Sequence, residues 1–166
     1  SSLKNLYMCV LFIMVVIYMD ETYMKIALKE AEKSYAIDDV PVGAIIVYQN
    51  KIIARAHNTK QKSQIAVNHA EIVAITKACK KLNSWHLDDC TMYVTMEPCL
   101  MCAGALLQSR ISRLVYGTPN LKFGFVESID SVLNNGKNNH KIEICSGVCK
   151  EESEKMLKDF FKAKRG

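Results

Sequence analysis

Residues 42–48, VGAIIVY, restrict the fold more than any other stretch of the sequence. The run is almost wholly apolar and rich in β-branched residues, which is typical of a strand that is buried on both faces. The polar turn QNK and the run IIARAHN follow it, so the sequence predicts a β-hairpin. Because both faces of the first strand are buried, helices must cover both sides of its sheet.

Strand-like and helix-like patterns alternate along the rest of the chain. Further strands are predicted at residues 91–96, 113–117 and 141–145. Helices are predicted at residues 20–36, 69–82, 99–109 and about 150–163, with a short helix around Val132. Polar loops are predicted at residues 58–68 and 117–128. The alternation predicts an α/β fold of three layers, α/β/α, with a mixed central sheet of about five strands flanked by helices.

The composition is typical of one folded, soluble domain. Of the 166 residues, 49% are hydrophobic and 23% are charged, enough apolar material for a sizeable core. The net charge of +5 is compatible with an anionic partner such as RNA but does not require one. Seven cysteines, an odd number, make a poor disulfide framework. They favour a reducing compartment, so we expect a cytoplasmic protein whose clustered cysteines are available for a metal.

One N-terminal segment is more apolar than is typical of a soluble domain: LYMCVLFIMVVIYM, at residues 6–19. It is shorter than the roughly 20 residues of a membrane span, and it resembles the core of a signal peptide without a cleavage site after it. A buried strand or helix is a further alternative. The interpretation we favour is that Met19 is the natural start. We therefore divide the chain into an extension at residues 1–18 and a functional domain at residues 19–166, and expect membrane association only if the extension is native.

A Cys-x-x-Cys motif, Cys99 and Cys102, follows a predicted strand and Pro98 at the predicted start of a helix. Thiolates are favoured there by the positive end of the helix dipole. The motif alone is compatible with a redox pair, half of a structural zinc site or part of a catalytic zinc site. The other local pair, Cys145 and Cys149, is interpreted as core packing.

A second pair of polar residues, His69 and Glu71, lies at the predicted start of another helix. With Cys99 and Cys102, His69 supplies three protein ligands for one Zn²⁺ per subunit and leaves the fourth tetrahedral position for a catalytic water. Glu71 then serves as the group that moves protons. Together they match the H-x-E…P-C-x-x-C signature of zinc deaminases. The sequence thus predicts hydrolytic deamination of an amidine-like carbon.

Beyond the signature, the chain from about Met19 to Arg165 resembles the bacterial tRNA-specific adenosine deaminases of the TadA type, in the cytidine and deoxycytidylate deaminase superfamily. The resemblance is carried by VPVGAIIV (40–47), AHN (56–58), HAEI (69–72), MYVTMEPC (92–99), MCAGAL (101–106), SRI (109–111), VYG (115–117), NNHKIEI (138–144) and LKDFFKAKR (157–165). It implies a cytidine-deaminase-like fold, a homodimer, and conversion of adenosine to inosine at the wobble position, 34, of a tRNA anticodon.

The resemblance also implies roles for individual residues. It places the zinc ligands at His69, Cys99 and Cys102, the proton shuttle at Glu71, a polar contact to the nucleoside at Asn58, and the walls of the base pocket at Val42 and Ala70. Near the C-terminus, aromatic and basic residues are interleaved, as in sites that hold single-stranded RNA. We assign substrate contacts there to Phe160, Lys162 and Arg165, and expect one ring of the pair Phe160 and Phe161 to pack on the helix while the other meets RNA.

The sequence departs from the family pattern in the loop after strand VYG. Asn120 stands where family members usually carry an acidic residue close to the sugar of the target nucleotide. An amide can still bond a 2′-hydroxyl, but it lacks the charge that would repel a misplaced phosphate. We therefore expect Asn120 to contact substrate and to discriminate RNA from DNA less strongly. Asn68, an unusual neighbour of His69, is expected to cap the helix.

Two alternatives remain open from the sequence. The first is a deaminase of the same fold that acts on a free base or a nucleotide, such as guanine or cytosine. The second is a zinc-stabilised RNA-binding module without catalysis, in which Glu71 would be dispensable.

Overall fold

The computed structural model describes residues 2–166 and has a mixed five-stranded sheet between two layers of helices. The helices are α1 (Ser2–Ala36), α2 (Lys60–Ser63), α3 (Ala70–Leu82), α4 (Leu100–Gln108) and α5 (Lys150–Arg165), with a 3₁₀ turn at Val132–Asn134. The strands are β1 (Gly43–Tyr48), β2 (Lys51–His57), β3 (Cys90–Met96), β4 (Arg113–Thr118) and β5 (Glu143–Ser146). Two predictions were incomplete: the loop at 58–68 contains the short helix α2, and α1 begins well before residue 20.

The sheet has the order β2-β1-β3-β4-β5. Strand β1 is antiparallel to both β2 and β3, whereas β3, β4 and β5 run parallel. Parallel strands place their carboxyl ends at one edge of the sheet, so the segments after β3 and β4 emerge side by side. Loops at that edge can therefore build a shared site.

Successive residues of the central strands point to opposite layers, as the pleat requires. Ala44 and Ile46 of β1 pack into the larger core, which includes buried residues of α3 and α4. Ile45 and Val47 pack into the smaller core, on the face that α1 covers. The prediction that this strand is buried on both faces is confirmed.

Helix α1 lies directly on β1, and Gly43 permits the close approach. A Cβ at position 43 would lie 2.0 Å from the carbonyl oxygen of Ala27. The same helix is anchored by Asp20, whose carboxylate accepts two hydrogen bonds from Arg113, at 2.7 and 2.8 Å, and one from the Tyr93 hydroxyl at 2.8 Å. These contacts fix the part of α1 that begins at Asp20.

The N-terminal half of α1 has a different environment. Its apolar side chains lie in solvent, with Phe12 69% and Tyr18 70% exposed. By length and composition, α1 could cross a membrane, and none of its most apolar 18-residue window is buried. The alternative of a buried strand or helix for residues 6–19 is therefore wrong, because the segment is a helix that does not contact the core.

Candidate functional site

Two helix starts meet beyond the carboxyl end of β3. His69 is the N-cap residue of α3, and Cys99 is the N-cap residue of α4. Cys102 lies one turn into α4 and is fully buried, whereas His69 and Cys99 are partly exposed. The unpaired N–H groups at a helix start favour negative charge, which stabilises a thiolate at Cys99. The hydrogen bond with Cys99, together with burial, raises the pKa of the Cys102 thiol.

The three side chains have the geometry of a tetrahedral metal site. The Nδ1 atom of His69 lies 3.7 Å from Cys99 Sγ and 3.6 Å from Cys102 Sγ. The ligand atoms of all three residues lie within 4.8 Å of one another. A tetrahedral zinc ion with bonds of about 2.3 Å to sulfur and about 2.0 Å to nitrogen separates those atoms by about 3.5 Å. The residues present therefore fit zinc.

Electrostatics at the site favour a thiolate beside a proton-exchanging carboxyl group. The hydrogen bond from Cys102 lowers the pKa of the Cys99 thiol to about 4, although burial opposes the shift. The hydrogen bond with Cys99 raises the pKa of His69. Glu71 is 4% exposed, and burial raises its pKa to about 7. A carboxyl group with such a pKa can both accept and return a proton near neutral pH.

A cavity of about 1670 Å³ opens over this cluster. It is larger than a typical small-molecule pocket of about 300–1,000 Å³, so it has room for more than one nucleoside. Among the residues assigned from the sequence, the cavity is lined by Val42, Asn58, His69, Glu71, Cys99, Asn120, Phe160 and Arg165. Ala70 and Cys102 are buried behind it, and Lys162 is exposed outside it.

Asn58 is held in a fixed orientation at the cavity wall. Its side-chain oxygen accepts a hydrogen bond of 2.8 Å from the backbone N–H of Ala70, at the start of α3. Its backbone carbonyl accepts a second from the hydroxyl of Ser34, also at 2.8 Å. With the oxygen engaged, the side-chain amide presents its N–H donors to a ligand.

The predicted cap of α3 by Asn68 is wrong. The Asn68 amide donates to Ser63 Oγ at 2.9 Å, across the loop that precedes α3. His69 occupies the N-cap position, and the N–H of Ala70 is bonded by Asn58 instead. The capping group therefore comes from a residue that only the tertiary fold brings near.

The two C-terminal aromatic rings have different environments, as expected. Phe160 is 6% exposed and packs edge-on against Tyr35 at a centroid distance of 5.6 Å. Phe161 is 44% exposed and lines the cavity. Phe161 is therefore the ring that can stack on a base. Phe160, to which the sequence assigned a substrate contact, is too buried to stack on a base and supports the wall behind Phe161.

Most of the positive charge around the cavity was not predicted from the sequence. Lysines from three different segments lie at its rim: Lys60, Lys62, Lys122, Lys158 and Lys164. Only Lys158 and Lys164 belong to the C-terminal segment in which aromatic and basic residues are interleaved. Their convergence depends on the fold, although the short stretches TKQK and NLKF gave a weak signal.

This chain is similar to known proteins over nearly its whole length. Residues 18–165 match the sequence profile of the MafB19-like deaminases. The tRNA-specific adenosine deaminase of Bacillus subtilis (strain 168) is 44% identical over 146 residues, which cover 88% of this chain and 91% of the relative. The tRNA-specific adenosine deaminase of Aquifex aeolicus (strain VF5) is 39% identical and covers 87% of this chain and 95% of the relative.

Solved structures agree with the predicted fold. A structure from studies of A-to-I editing by tRNA:A34 deaminases at the wobble position of transfer RNA has a TM-score of 0.79 and 38% identity, and the match covers 82% of this chain and 99% of that one. A guanine deaminase from Nitrosomonas europaea has a TM-score of 0.73 at 23% identity, over 84% of this chain. At 23% identity, the similarity to the guanine deaminase shows only that the fold is shared. The predicted cytidine-deaminase-like architecture is confirmed.

Proposed function

This chain belongs to the tRNA-specific adenosine deaminases, and we propose that it converts adenosine to inosine at the wobble position, 34, of a tRNA anticodon. The observation that carries the proposal is the convergence of His69, Cys99, Cys102 and Glu71 at one cavity. The relatives from Bacillus subtilis and Aquifex aeolicus and the first of the two solved structures are named as tRNA deaminases, and the matches cover at least 91% of their length.

We assign His69, Cys99 and Cys102 as the ligands of one catalytic Zn²⁺ per subunit. When bound, zinc supplies a water whose pKa is lowered towards neutrality, and hence a nucleophile at physiological pH. The ligand set of one nitrogen and two thiolates is typical of zinc deaminases. Support for zinc comes from the N···S distances of 3.6 and 3.7 Å.

Glu71 moves the protons of the reaction. It accepts one proton of the attacking water and delivers it to a ring nitrogen of adenine. It then takes the second proton of that water, from the hydroxyl group on the attacked carbon, and gives it to the amino group, which leaves as ammonia while the C6–O bond becomes the carbonyl of inosine. Asn58 donates a hydrogen bond to the nucleoside from its fixed amide. Val42 contacts the base, and Ala70 supports the same wall from behind through its backbone.

The proposal is tested by offering the purified protein an anticodon stem-loop with adenosine at the wobble position, alongside free adenosine, guanine, cytosine and a pyrimidine nucleotide. Inosine in the stem-loop, with little turnover of the small molecules, is the expected result. Turnover of a free base or nucleotide in preference to the stem-loop would support the rival deaminase class. Tight RNA binding without any deamination would support a non-catalytic module.

Phe161→Ala is expected to weaken binding of the stem-loop by about 5- to 150-fold, because stacking of one base on an aromatic ring contributes about 1–3 kcal/mol. Fluorescence anisotropy with a labelled stem-loop at fixed salt measures the change. Trp85→Ala is the control, since Trp85 is 61% exposed and does not line the cavity. Equal affinities for the two variants would contradict the stacking role.

We assign phosphate contacts to Lys162 and Arg165, which lie beside Phe161 in the sequence of α5.

Asn120 is proposed to contact the sugar of the target nucleotide with weak discrimination between RNA and DNA. Its side-chain oxygen accepts a hydrogen bond of 3.1 Å from the Phe123 N–H, and the residue lines the cavity. We expect measurable deamination of a DNA hairpin of the same sequence, and a lower DNA rate for Asn120→Asp. A negligible DNA rate, equal in the two proteins, would contradict this assignment.

We further propose that residues 19–166 form the deaminase domain. The family match begins at residue 18, and the first buried side chain of α1 among residues 2–36 is that of Asp20. Removal of residues 1–18 tests this, because loss of folding or of zinc binding in residues 19–166 would contradict it. A tRNA substrate also supports a cytoplasmic location.

A homodimer is proposed as the working form. Apolar side chains flank the starts of the two site helices, with Leu100 55%, Ile65 49% and Val67 48% exposed. Exposed apolar side chains near a site often mark an interaction surface. Light scattering after size exclusion measures the mass directly, and a monomer at working concentrations would contradict the proposal.

A further inference from the structure

A buried carboxylate outside the deaminase signature lies next to the zinc site. Glu97 follows β3 directly, precedes Pro98 and is 2% exposed. Its two oxygens accept five hydrogen bonds, and all five donors belong to one segment, residues 120–128. No other carboxylate among residues 2–166 gathers so many donors from one loop.

The donors are mostly backbone N–H groups. Oε2 accepts from Val126 at 3.1 Å, from Glu127 at 2.9 Å and from Ser128 at 3.0 Å. Oε1 accepts from the N–H of Asn120 at 3.1 Å and from the hydroxyl of Ser128. Hydrogen bonds to an ionised acceptor are stronger than neutral ones, so a single side chain fixes both ends of the loop.

Loop 120–128 has little regular secondary structure of its own, so its conformation depends on such contacts. Two backbone contacts join it to the same segment as Glu97: Phe125 N–H donates to the Pro98 carbonyl at 3.0 Å, and Gly124 pairs with Cys99 in a β-bridge. Gly124 leaves space for the carboxylate, because a Cβ there would lie 2.4 Å from Glu97 Cδ.

The loop carries a large part of the cavity wall. Asn120, Leu121, Lys122 and Phe123 all line the cavity. Asn120 is bonded to Glu97, and the other three lie between it and the bonded residues 126–128. Glu97 is also two residues from Cys99, which we assign as a zinc ligand. One short piece of backbone therefore fixes both the metal site and the loop that faces it.

We propose that Glu97 is a positioning residue for the substrate: its buried carboxylate holds loop 120–128 at a fixed place relative to the zinc ligands, so that Asn120 and Phe123 meet the target nucleotide in register. The inference rests on the proposed deamination of an RNA anticodon and assigns Glu97 no contact with the reacting atoms. A merely structural carboxylate would instead affect the amount of folded, zinc-loaded protein.

Glu97→Gln separates these roles, because glutamine has nearly the same shape but replaces one acceptor oxygen with an NH₂ group facing N–H donors. We expect KM for the anticodon stem-loop to rise by about tenfold or more, with kcat per bound zinc within about threefold of wild type. Amide hydrogen exchange is expected to accelerate in residues 120–128 and to stay unchanged in α3. An unchanged KM, or a lower kcat per total protein at constant KM, would overturn the proposal.

A second variant, in the loop itself, is expected to disturb the same hydrogen bonds to Glu97. Gly124→Ala places a methyl group against the Glu97 carboxylate and is expected to raise KM in the same way, with zinc content unchanged. Gly136→Ala is its matched control, since no heavy atom lies within 4 Å of a Cβ built there. If Glu97→Gln does not fold, Gly124→Ala decides: a KM equal to that of Gly136→Ala overturns the proposal.

Failure of the inference and failure of the proposed function are distinguished by the wild-type protein. If wild type forms no inosine in the stem-loop, the proposed function fails. If wild type forms inosine and both variants keep its KM, only the role of Glu97 fails.

Discussion

Replacement of Glu71 by glutamine is expected to lower kcat for inosine formation by about 10²–10⁴-fold, the usual contribution of a positioned acid–base group. Glutamine fills the same space in the wall of the cavity but cannot accept the proton of the attacking water. Zinc content is expected to stay at the wild-type level, because Glu71 is not one of the ligands. Single-turnover deamination of the stem-loop, normalised to bound zinc, measures the effect.

Glu32→Gln is the matched control for this experiment, since Glu32 is an exposed residue of α1 and the substitution is the same. The control is expected to keep wild-type rates. RNA affinity is expected to be similar in both variants and in wild type. If Glu71→Gln retains full deamination, the shuttle assignment is wrong; if wild type and variant both bind RNA and neither deaminates it, the non-catalytic alternative gains support.

The layered architecture could be predicted from the sequence because the patterns are local. A strand buried on both faces, such as residues 43–48, has a near-continuous apolar sequence whatever its neighbours are. The zinc ligands were predictable for a related reason: His69, Cys99 and Cys102 belong to short motifs with fixed spacing. Strand order and the exposure of α1 were not predictable in this way, because they depend on which surfaces the chain brings together.

The residues that support the site were even less predictable from the sequence. In the sequence, Glu97 is a single acidic residue before a proline. The five groups that donate hydrogen bonds to its carboxylate lie 23 to 31 residues away. Asn58 bonds the start of α3 from 12 residues upstream, whereas the adjacent Asn68 does not. The lysines at the cavity rim come from α2, from the loop that contains Lys122 and from α5. Such roles arise from tertiary contacts and have no signature in a local pattern.

Removal of a zinc ligand is expected to have the largest effect of all. Cys99→Ser and His69→Ala are each expected to lower deamination by more than about 10⁴-fold, because metal binding lowers the pKa of water from about 16 to about 7 and the uncatalysed nucleophile is far weaker. The ratio of zinc to protein, measured by elemental analysis, is expected to fall in parallel. Treatment of wild type with a strong chelator is expected to give the same loss, reversed by added Zn²⁺.

Cys145→Ser is the control, because Cys145 is a partly buried cysteine packed against the smaller core, on the face that α1 covers. It is expected to keep both zinc and activity. Cys102→Ser is expected to lose zinc as Cys99→Ser does and to lower thermal stability further, since Cys102 is fully buried and Cys99 is partly exposed. Full activity in Cys99→Ser with no bound zinc would overturn the assignment of the metal site. Loss of activity with zinc retained would instead place Cys99 in a role other than that of a ligand.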